Sequence, residues 1–307
     1  MLEIKNLSVS FSSYAKGLKR NTVSAIRSLD LNAQAGQIIA IVGQSGAGKS
    51  LLAHAVLGIL PKNSSVSGDI FFKKSRLTPK LAKQLRGREI ALIPQSVAFL
   101  NPLLHVGTQI ARAGRLSGLS PKEARKTSRE ALERYGLSSR YYGWFPFQLS
   151  GGMARRVLTA TATIGSADLL IADEPTNGLD KETARETLKH LRELADTGKT
   201  VVLITHDIEL ALGVADKVSV FCGGVTIEEA DASDFNGSDT LRHPYTKKLW
   251  QSLPCNQFTK VINGPMEKAK NGGCPYSPQC SQCTDECCRS LPELAPINGG
   301  KVRCWRA

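Results

Sequence analysis

The chain has 307 residues and a formal net charge of +13, long enough for one large domain and a smaller one, so core size sets no constraint. No stretch reaches the roughly 18 apolar residues of a membrane-spanning helix, and Met1-Leu2-Glu3-Ile4-Lys5 lacks the pattern of a secretory leader, so a soluble cytoplasmic chain is expected. The charge exceeds what one anionic ligand needs and raises nucleic acid or an anionic membrane surface as neighbours. Because Lys and Arg are spread along the chain, a solvated basic surface near the inner leaflet is preferred.

In chain order, Leu2, Ile4, Leu7, Val9 and Phe11 alternate, and Ile26, Leu29 and Leu31 repeat the pattern within 24 to 34, which predicts a β meander. The apolar run Gln37 to Val42 then enters Gly43-Gln44-Ser45-Gly46-Ala47-Gly48-Lys49-Ser50, and Leu51 to Leu57 follow as a helix. A strand, a glycine-rich turn and a helix are the context of a P-loop: the glycines let successive N–H groups face a polyphosphate, Lys49 supplies charge, and the Ser50 hydroxyl suits Mg²⁺. Residues 62 to 90 hold turn formers and a basic run, and Ile90 to Pro94 lead to Gln95. Ser120-Pro121-Lys122-Glu123 opens a helix that Gly136 stops. Leu149-Ser150-Gly151-Gly152-Met153 is a second glycine-rich turn before a helix, by itself an ordinary cap and also a place that favours an anion.

Leu169 to Ala172 end in Asp173 and Glu174, and Val201 to Thr205 end in His206. In an open parallel sheet, ligands sit at the carboxyl ends of strands, so these residues are expected to serve the same phosphates. Read as strand neighbours, Asp173 and Glu174 point to opposite sides and take different roles. A helix is predicted from Lys181 to Ala195, and Val218 to Cys222, Gly223-Gly224 and Val225 to Ile227 read as a hairpin.

The P-loop, Gln95, Ser150-Gly151-Gly152, Asp173-Glu174, Asp180 and His206 stand in the order used by ATP-binding cassette ATPases, and the chain resembles that family over about its first three quarters. The resemblance implies an α/β P-loop core with a mixed or parallel sheet and helices, an antiparallel N-terminal β subdomain and a helical subdomain at about 96–155, all within 1–230. It implies ATP and Mg²⁺ as ligands. Asp173 then holds Mg²⁺ through water, Gln95 senses Mg²⁺ and water beside a loop that touches the transport partner, Glu174 polarises the attacking water and His206 meets the γ-phosphate. Phe11 or Tyr14 stacks on adenine. Ser150, Gly151 and Gly152 cover a nucleotide on a second chain, with Asp180 nearby, so one cassette implies a partner cassette. Ala154-Arg155-Arg156 and Asn177-Gly178 depart from the commoner family endings, which bears on the site completed in that partner.

Residues 231–307 lie beyond a generic cassette. Arg242-His243-Pro244-Tyr245, Leu253-Pro254, Gly273-Cys274-Pro275-Tyr276 and Pro292-Glu293-Leu294 resemble the C-terminal extension of ATP-binding subunits of oligopeptide, dipeptide and nickel importers. Six of the chain's eight cysteines lie between Cys274 and Cys304, a density that in a reducing compartment argues for metal before disulfides. Cys274, Cys280, Cys287 and Cys304 resemble the pattern that holds a [4Fe-4S] cluster in some of these subunits; structural zinc is the alternative, with Cys280 and Cys283 as a zinc-like pair. Cys283 and Cys288 read as spares, and Cys222 and Cys255 as ordinary thiols. The function implied is ATP-powered import of peptides or of nickel and similar metal complexes at the cytoplasmic face of the cell membrane. Its expected partners are a second, non-identical cassette, two permease subunits and, through them, an extracytoplasmic binding protein, with no nucleic acid. A ribosome- or nucleic-acid-directed soluble cassette ATPase and a metal-sensing regulatory protein are the competing readings.

Overall fold

The computed structural model describes residues 1–14, 20–44, 46–254, 256 and 272–307, without the side chains of residues 14 and 20. Ser45, Cys255 and the Tyr14 ring lie outside the described residues. The chain forms two compact units: Met1–Ala33, Ile39–Leu77 and Thr205–Ala307 make the first, and Gln34–Ile38 with Thr78–Ile204 the second.

In the first unit, strand Leu2–Tyr14 pairs antiparallel with Arg20–Ala33 and with Ser64–Phe72. The apolar alternation changes phase between Ile4 and Leu7, and the structure supplies the reason. The register shifts there, and Asn6 takes φ 47, a bulge whose extra residue restores the inward face. Leu2, Ile4, Leu7 and Val9 are consequently all buried. Gly68 lies across from the bulge, and a Cβ there would come 2.3 Å from the Asn6 carbonyl oxygen.

Strand Arg20–Ala33 meets Val225–Asp231 in parallel, Val225–Asp231 pairs antiparallel with Lys217–Cys222, and Lys217–Cys222 runs parallel to Ile38–Val42. The predicted hairpin is present: Gly223 and Gly224 have φ of 50° and 84°, the doubly left-handed turn that a tight hairpin requires. On the other side of Val225–Asp231 the tail adds Gly300–Val302, itself paired with Ala295–Ile297.

The second unit holds three parallel strands, with Leu169–Asp173 between Ile90–Ile93 and Thr200–Ile204. Strands Leu169–Asp173 and Thr200–Ile204 are buried throughout, which explains their apolar runs. Helices Val106–Leu116, Pro121–Arg134 and Gly151–Thr163 share a core of Val106, Ile110, Leu132, Tyr135, Val157 and Leu158. Ser120 and Glu123 form a full capping box on the middle helix, satisfying two orphan N–H groups reciprocally. Helix Lys181–Asp196 presents Ala184, Leu188, Leu191 and Ala195 as its buried face. Among the described residues no helix is long and apolar enough to cross a membrane.

Candidate functional site

The phosphate loop belongs to the first unit. Strand Ile38–Val42 is completely buried, and Gly43 ends it with φ 151. A Cβ on Gly43 would stand 2.0 Å from the Phe221 carbonyl oxygen, and one on Gly48 2.8 Å from that of Ala25. Both positions exclude a side chain through backbone that cannot yield. Gly46 meets nothing within 4 Å, and its φ of 79 alone favours glycine.

Gly48 is the left-handed N-cap of helix Lys49–Leu57 and gives that end no side-chain cap; a helix N-terminus favours an anion. Lys49 is 6% exposed. Its ammonium donates to the carbonyls of Gly43 at 2.7 Å and Gln44 at 2.9 Å, so it is held across the mouth of its own loop. His206 is in the same unit, exposed, two residues beyond the end of strand Thr200–Ile204.

The carboxylates belong to the second unit. Asp173 closes its strand and is 4% exposed, and Glu174 is 7% exposed. The strand stops at Asp173: Glu174 adopts φ 50, a left-handed conformation that costs an ordinary residue about 1–2 kcal/mol. The alternation of strand neighbours therefore does not govern this pair, contrary to the sequence reading. A hydrogen bond from the Glu174 N–H to the Ile204 carbonyl, 2.8 Å, anchors the turn.

Gln95 is exposed just past strand Ile90–Ile93. Its carbonyl accepts from Arg155 Nη1 at 3.1 Å, a tether between this loop and the helix after the second glycine turn. Arg155 is one of the residues that depart from the commoner family ending. Ser150 caps that helix by accepting from the Met153 N–H at 3.3 Å. A Cβ at Gly151 would meet nothing within 4 Å, and one at Gly152 only Leu179 at 3.7 Å; neither glycine is demanded by its own unit. Asp180 caps helix Lys181–Asp196, accepting from the Thr183 N–H and hydroxyl at 2.9 and 2.7 Å, and these bonds hold its carboxyl below the usual range.

Sequence reasoning missed an exposed apolar surface in the second unit. Val97, Phe99, Leu103 and Phe147 are 39, 57, 82 and 73% exposed, and Phe145 lies between His105 and Phe147 with ring centroids at 4.2 and 5.5 Å. The run Phe99-Leu100-Asn101-Pro102-Leu103-Leu104 was the available signal, but it carries neither helix nor strand periodicity.

In the tail, Cys274, Cys280, Cys287 and Cys304 line one small cavity together with His243 and Arg303. Burial, and then the neighbouring cysteines, push the Cys274 thiol up to about 11. Burial likewise holds His243 neutral, with its pKa down at about 3; its Nδ1 accepts from the Tyr245 N–H at 3.0 Å, and Nε2 lies 3.8 Å from Cys274 Sγ. Among the described residues no three His, Cys, Asp or Glu side chains converge tightly enough to hold a metal ion.

Two arginines fasten the tail: Arg242, from the Arg242-His243-Pro244-Tyr245 run, and Arg303, which the sequence did not mark. Arg242 donates to Asp234 at 2.9 Å and to the Ile297 carbonyl at 2.7 Å, and lies 3.4 Å from the fully buried Glu228. Arg303 donates to Asp30 at 2.5 Å and to the Thr226 carbonyl at 3.0 Å.

A glycine-closed phosphate loop between a buried strand and a helix defines a P-loop nucleotide-binding fold. Residues 26–177 match the ABC transporter family and residues 227–287 the oligopeptide/dipeptide transporter C-terminal region. A dipeptide transport ATP-binding protein of Bacillus subtilis is 34% identical over 99% of this chain and 94% of its own length. An oligopeptide transport ATP-binding protein of Haemophilus influenzae is 32% identical over 99% and 97%. The ATP-binding cassette MJ0796, solved as a dimer in a post-hydrolysis state with ADP and Pi, superimposes with a TM-score of 0.67 at 26% identity over 76% of this chain and 99% of its own. The chain belongs to the ATP-binding subunits of ABC transporters, ATPases that couple hydrolysis to transport.

Proposed function

We propose that this chain is the ATP-hydrolysing subunit of a binding-protein-dependent peptide importer, working at the cytoplasmic face of the membrane with a second, non-identical cassette and two permease subunits. The observation that carries the reading is the peptide-transporter C-terminal region joined to a cassette whose phosphate loop admits no side chain at Gly43 or Gly48. Peptide is favoured over nickel and other metal complexes because the relatives matched along their full length are named for dipeptides and oligopeptides. The exposed surface of Val97, Phe99, Leu103 and Phe147 follows Gln95 and supplies the apolar area that a permease's cytoplasmic helix would cover.

Phosphoryl transfer asks a protein for positioning and charge more than for covalent chemistry. The main-chain N–H groups of Gly43 to Ser50 and the Lys49 ammonium would bind the phosphates, Lys49 exchanging its loop carbonyls for phosphate oxygens. Ser50 and Gln95, with Asp173 through water, would hold Mg²⁺, which would supply neutralising charge for the phosphates. Glu174 orients and polarises the attacking water, and His206 donates toward the γ-phosphate. Ser150, Gly151 and Gly152 serve a nucleotide on the partner cassette, with Asp180 beside them; the open space over Gly151 suits a turn whose ligand comes from another chain.

For the tail, a [4Fe-4S] cluster on Cys274, Cys280, Cys287 and Cys304 is favoured over zinc. A single zinc at about 2.3 Å from each sulfur needs the four thiolates packed around one point. The four cysteines line one cavity, and a cluster takes one thiolate at each iron. Such a cluster supplies a structural staple.

The test is reconstitution. The isolated chain is expected to hydrolyse ATP poorly and to gain activity with its partner cassette and permeases, increasing further when a peptide-loaded binding protein is added. Full activity from the isolated chain, or no response to peptide across an assembled transporter, would overturn the reading.

A further inference from the structure

Of the six cysteines from Cys274 to Cys304, four line the cavity and two do not. Cys283 and Cys288 are both exposed, and their sulfurs are in contact at 3.6 Å. Cys283 lies in the turn before the short helix Asp285–Arg289 and Cys288 within that helix, so local backbone alone brings the pair together. The turn is pinned on either side: the Cys283 N–H donates to the Cys280 carbonyl at 3.2 Å and the Ser290 N–H to that of Glu286 at 3.0 Å.

We propose that Cys283 and Cys288 form an exposed dithiol site that closes to an intramolecular disulfide in exchange with a low-molecular-weight disulfide. One cysteine thiolate attacks a sulfur of the small disulfide, whose S–S bond breaks and releases one small thiol. The second cysteine attacks the protein sulfur of the mixed disulfide and releases the other small thiol. Two protein S–H bonds are lost and one S–S bond is gained; the two electrons and two protons end on the small disulfide, now two thiols. The two sulfurs, 3.6 Å apart, must close to the bonding distance of about 2 Å.

The site is distinct from the four-cysteine cavity yet linked to it. Cys287 lies inside the ring that the bond would close, its carbonyl accepts from the Cys274 N–H at 2.8 Å, and its sulfur lies 3.3 Å from the Thr284 hydroxyl. Closure therefore restrains two residues of the cavity lining. In a reducing compartment a disulfide of this kind is transient and reports the thiol poise.

The full-length chain, purified anaerobically, is equilibrated with a graded series of reduced and oxidised glutathione. It is then alkylated and cleaved before Asp285, which separates the two cysteines. The expected result is two fragments joined by a bond that dithiothreitol reverses. Cys283→Ser and Cys288→Ser should each abolish the joined pair and leave a glutathione adduct on the remaining cysteine, and the double variant should show neither. The idea falls if the wild-type fragments never join under excess oxidised glutathione, or if they join equally in the double variant, which would move the bond to other cysteines on the two sides of the cut. Because the readout is a covalent map, failure of the importer or cluster reading leaves this test intact.

Discussion

Around the phosphate loop, backbone meets backbone: a Cβ on Gly43 or Gly48 has nowhere to go, and the strand beneath is buried at every position. The tail between Cys274 and Cys304 buries only Pro275, Tyr276, Cys287 and Val302 among its apolar and thiol side chains, and depends instead on Arg242, Arg303 and Glu228. One region is held by close packing of a local motif, the other by charged side chains reaching across hundreds of residues, as Arg303 does to Asp30. Close packing needs no partner. A buried arginine network is only as secure as its last pairing, because an unpartnered buried charge is costly.

The largest effect expected lies in the nucleotide site. In the assembled transporter, Glu174→Gln should reduce ATP turnover by about 10²–10⁴-fold while ATP binding persists, as loss of a general base does. Lys49→Ala should lose nucleotide binding as well, measured by equilibrium dialysis. Wild-type turnover in Glu174→Gln would remove the role given to that carboxylate.

Next comes the tail. Arg242→Met removes the charge beside the fully buried Glu228, whose carboxylate keeps the N–H groups of Arg242 and His243, together with the bonds to Asp234 and the Ile297 carbonyl, and should cost about 1–3 kcal/mol in denaturant unfolding followed by tryptophan fluorescence. A loss below about 1 kcal/mol would put this contact among ordinary surface pairs and undo the contrast drawn above. Cys280→Ser should remove iron from anaerobically prepared protein; colourless wild-type protein with stoichiometric zinc would shift the site to zinc.

Gly43→Ala tests the other side of the comparison. Its collision with the Phe221 carbonyl and its left-handed φ should together cost about 1–3 kcal/mol or more, whereas Gly151→Ala, which meets open space, should leave the stability of the isolated chain nearly unchanged. Equal losses at both would show that the loop is not held by packing.

The smallest effect is at the capping box of helix Pro121–Arg134. Ser120→Ala should cost about 1 kcal/mol in thermal unfolding. Hydrogen bonds from the Ser120 hydroxyl and N–H hold the Glu123 carboxyl below its ordinary value of 4.5. A depressed folded value means that this stabilisation is complete above 4.5 and is lost as pH falls through the lowered value. Glu123→Gln should flatten that acid limb, read from melting temperatures across the same pH range.

The sequence by itself determined what rests on neighbours along the chain. Phosphate loop, strand and helix are contiguous, the capping box spans Ser120 to Glu123, and the Gly223-Gly224 hairpin is closed by its own turn residues; each is a short-range constraint that residue type reports directly. Tertiary structure decided the rest. The change of phase between Ile4 and Leu7 reads as broken alternation until the bulge at Asn6 meets Gly68. Glu174 reads as a strand residue until the Ile204 carbonyl draws its N–H into a left-handed turn. Arg155 reads as a departure from a motif until it reaches the Gln95 carbonyl. The gathering of Cys274, Cys280, Cys287 and Cys304, and the separation of Cys283 with Cys288 as a second pair, depends on where the chain folds back, because spacing counts residues and a sulfur's partner is chosen by distance in space.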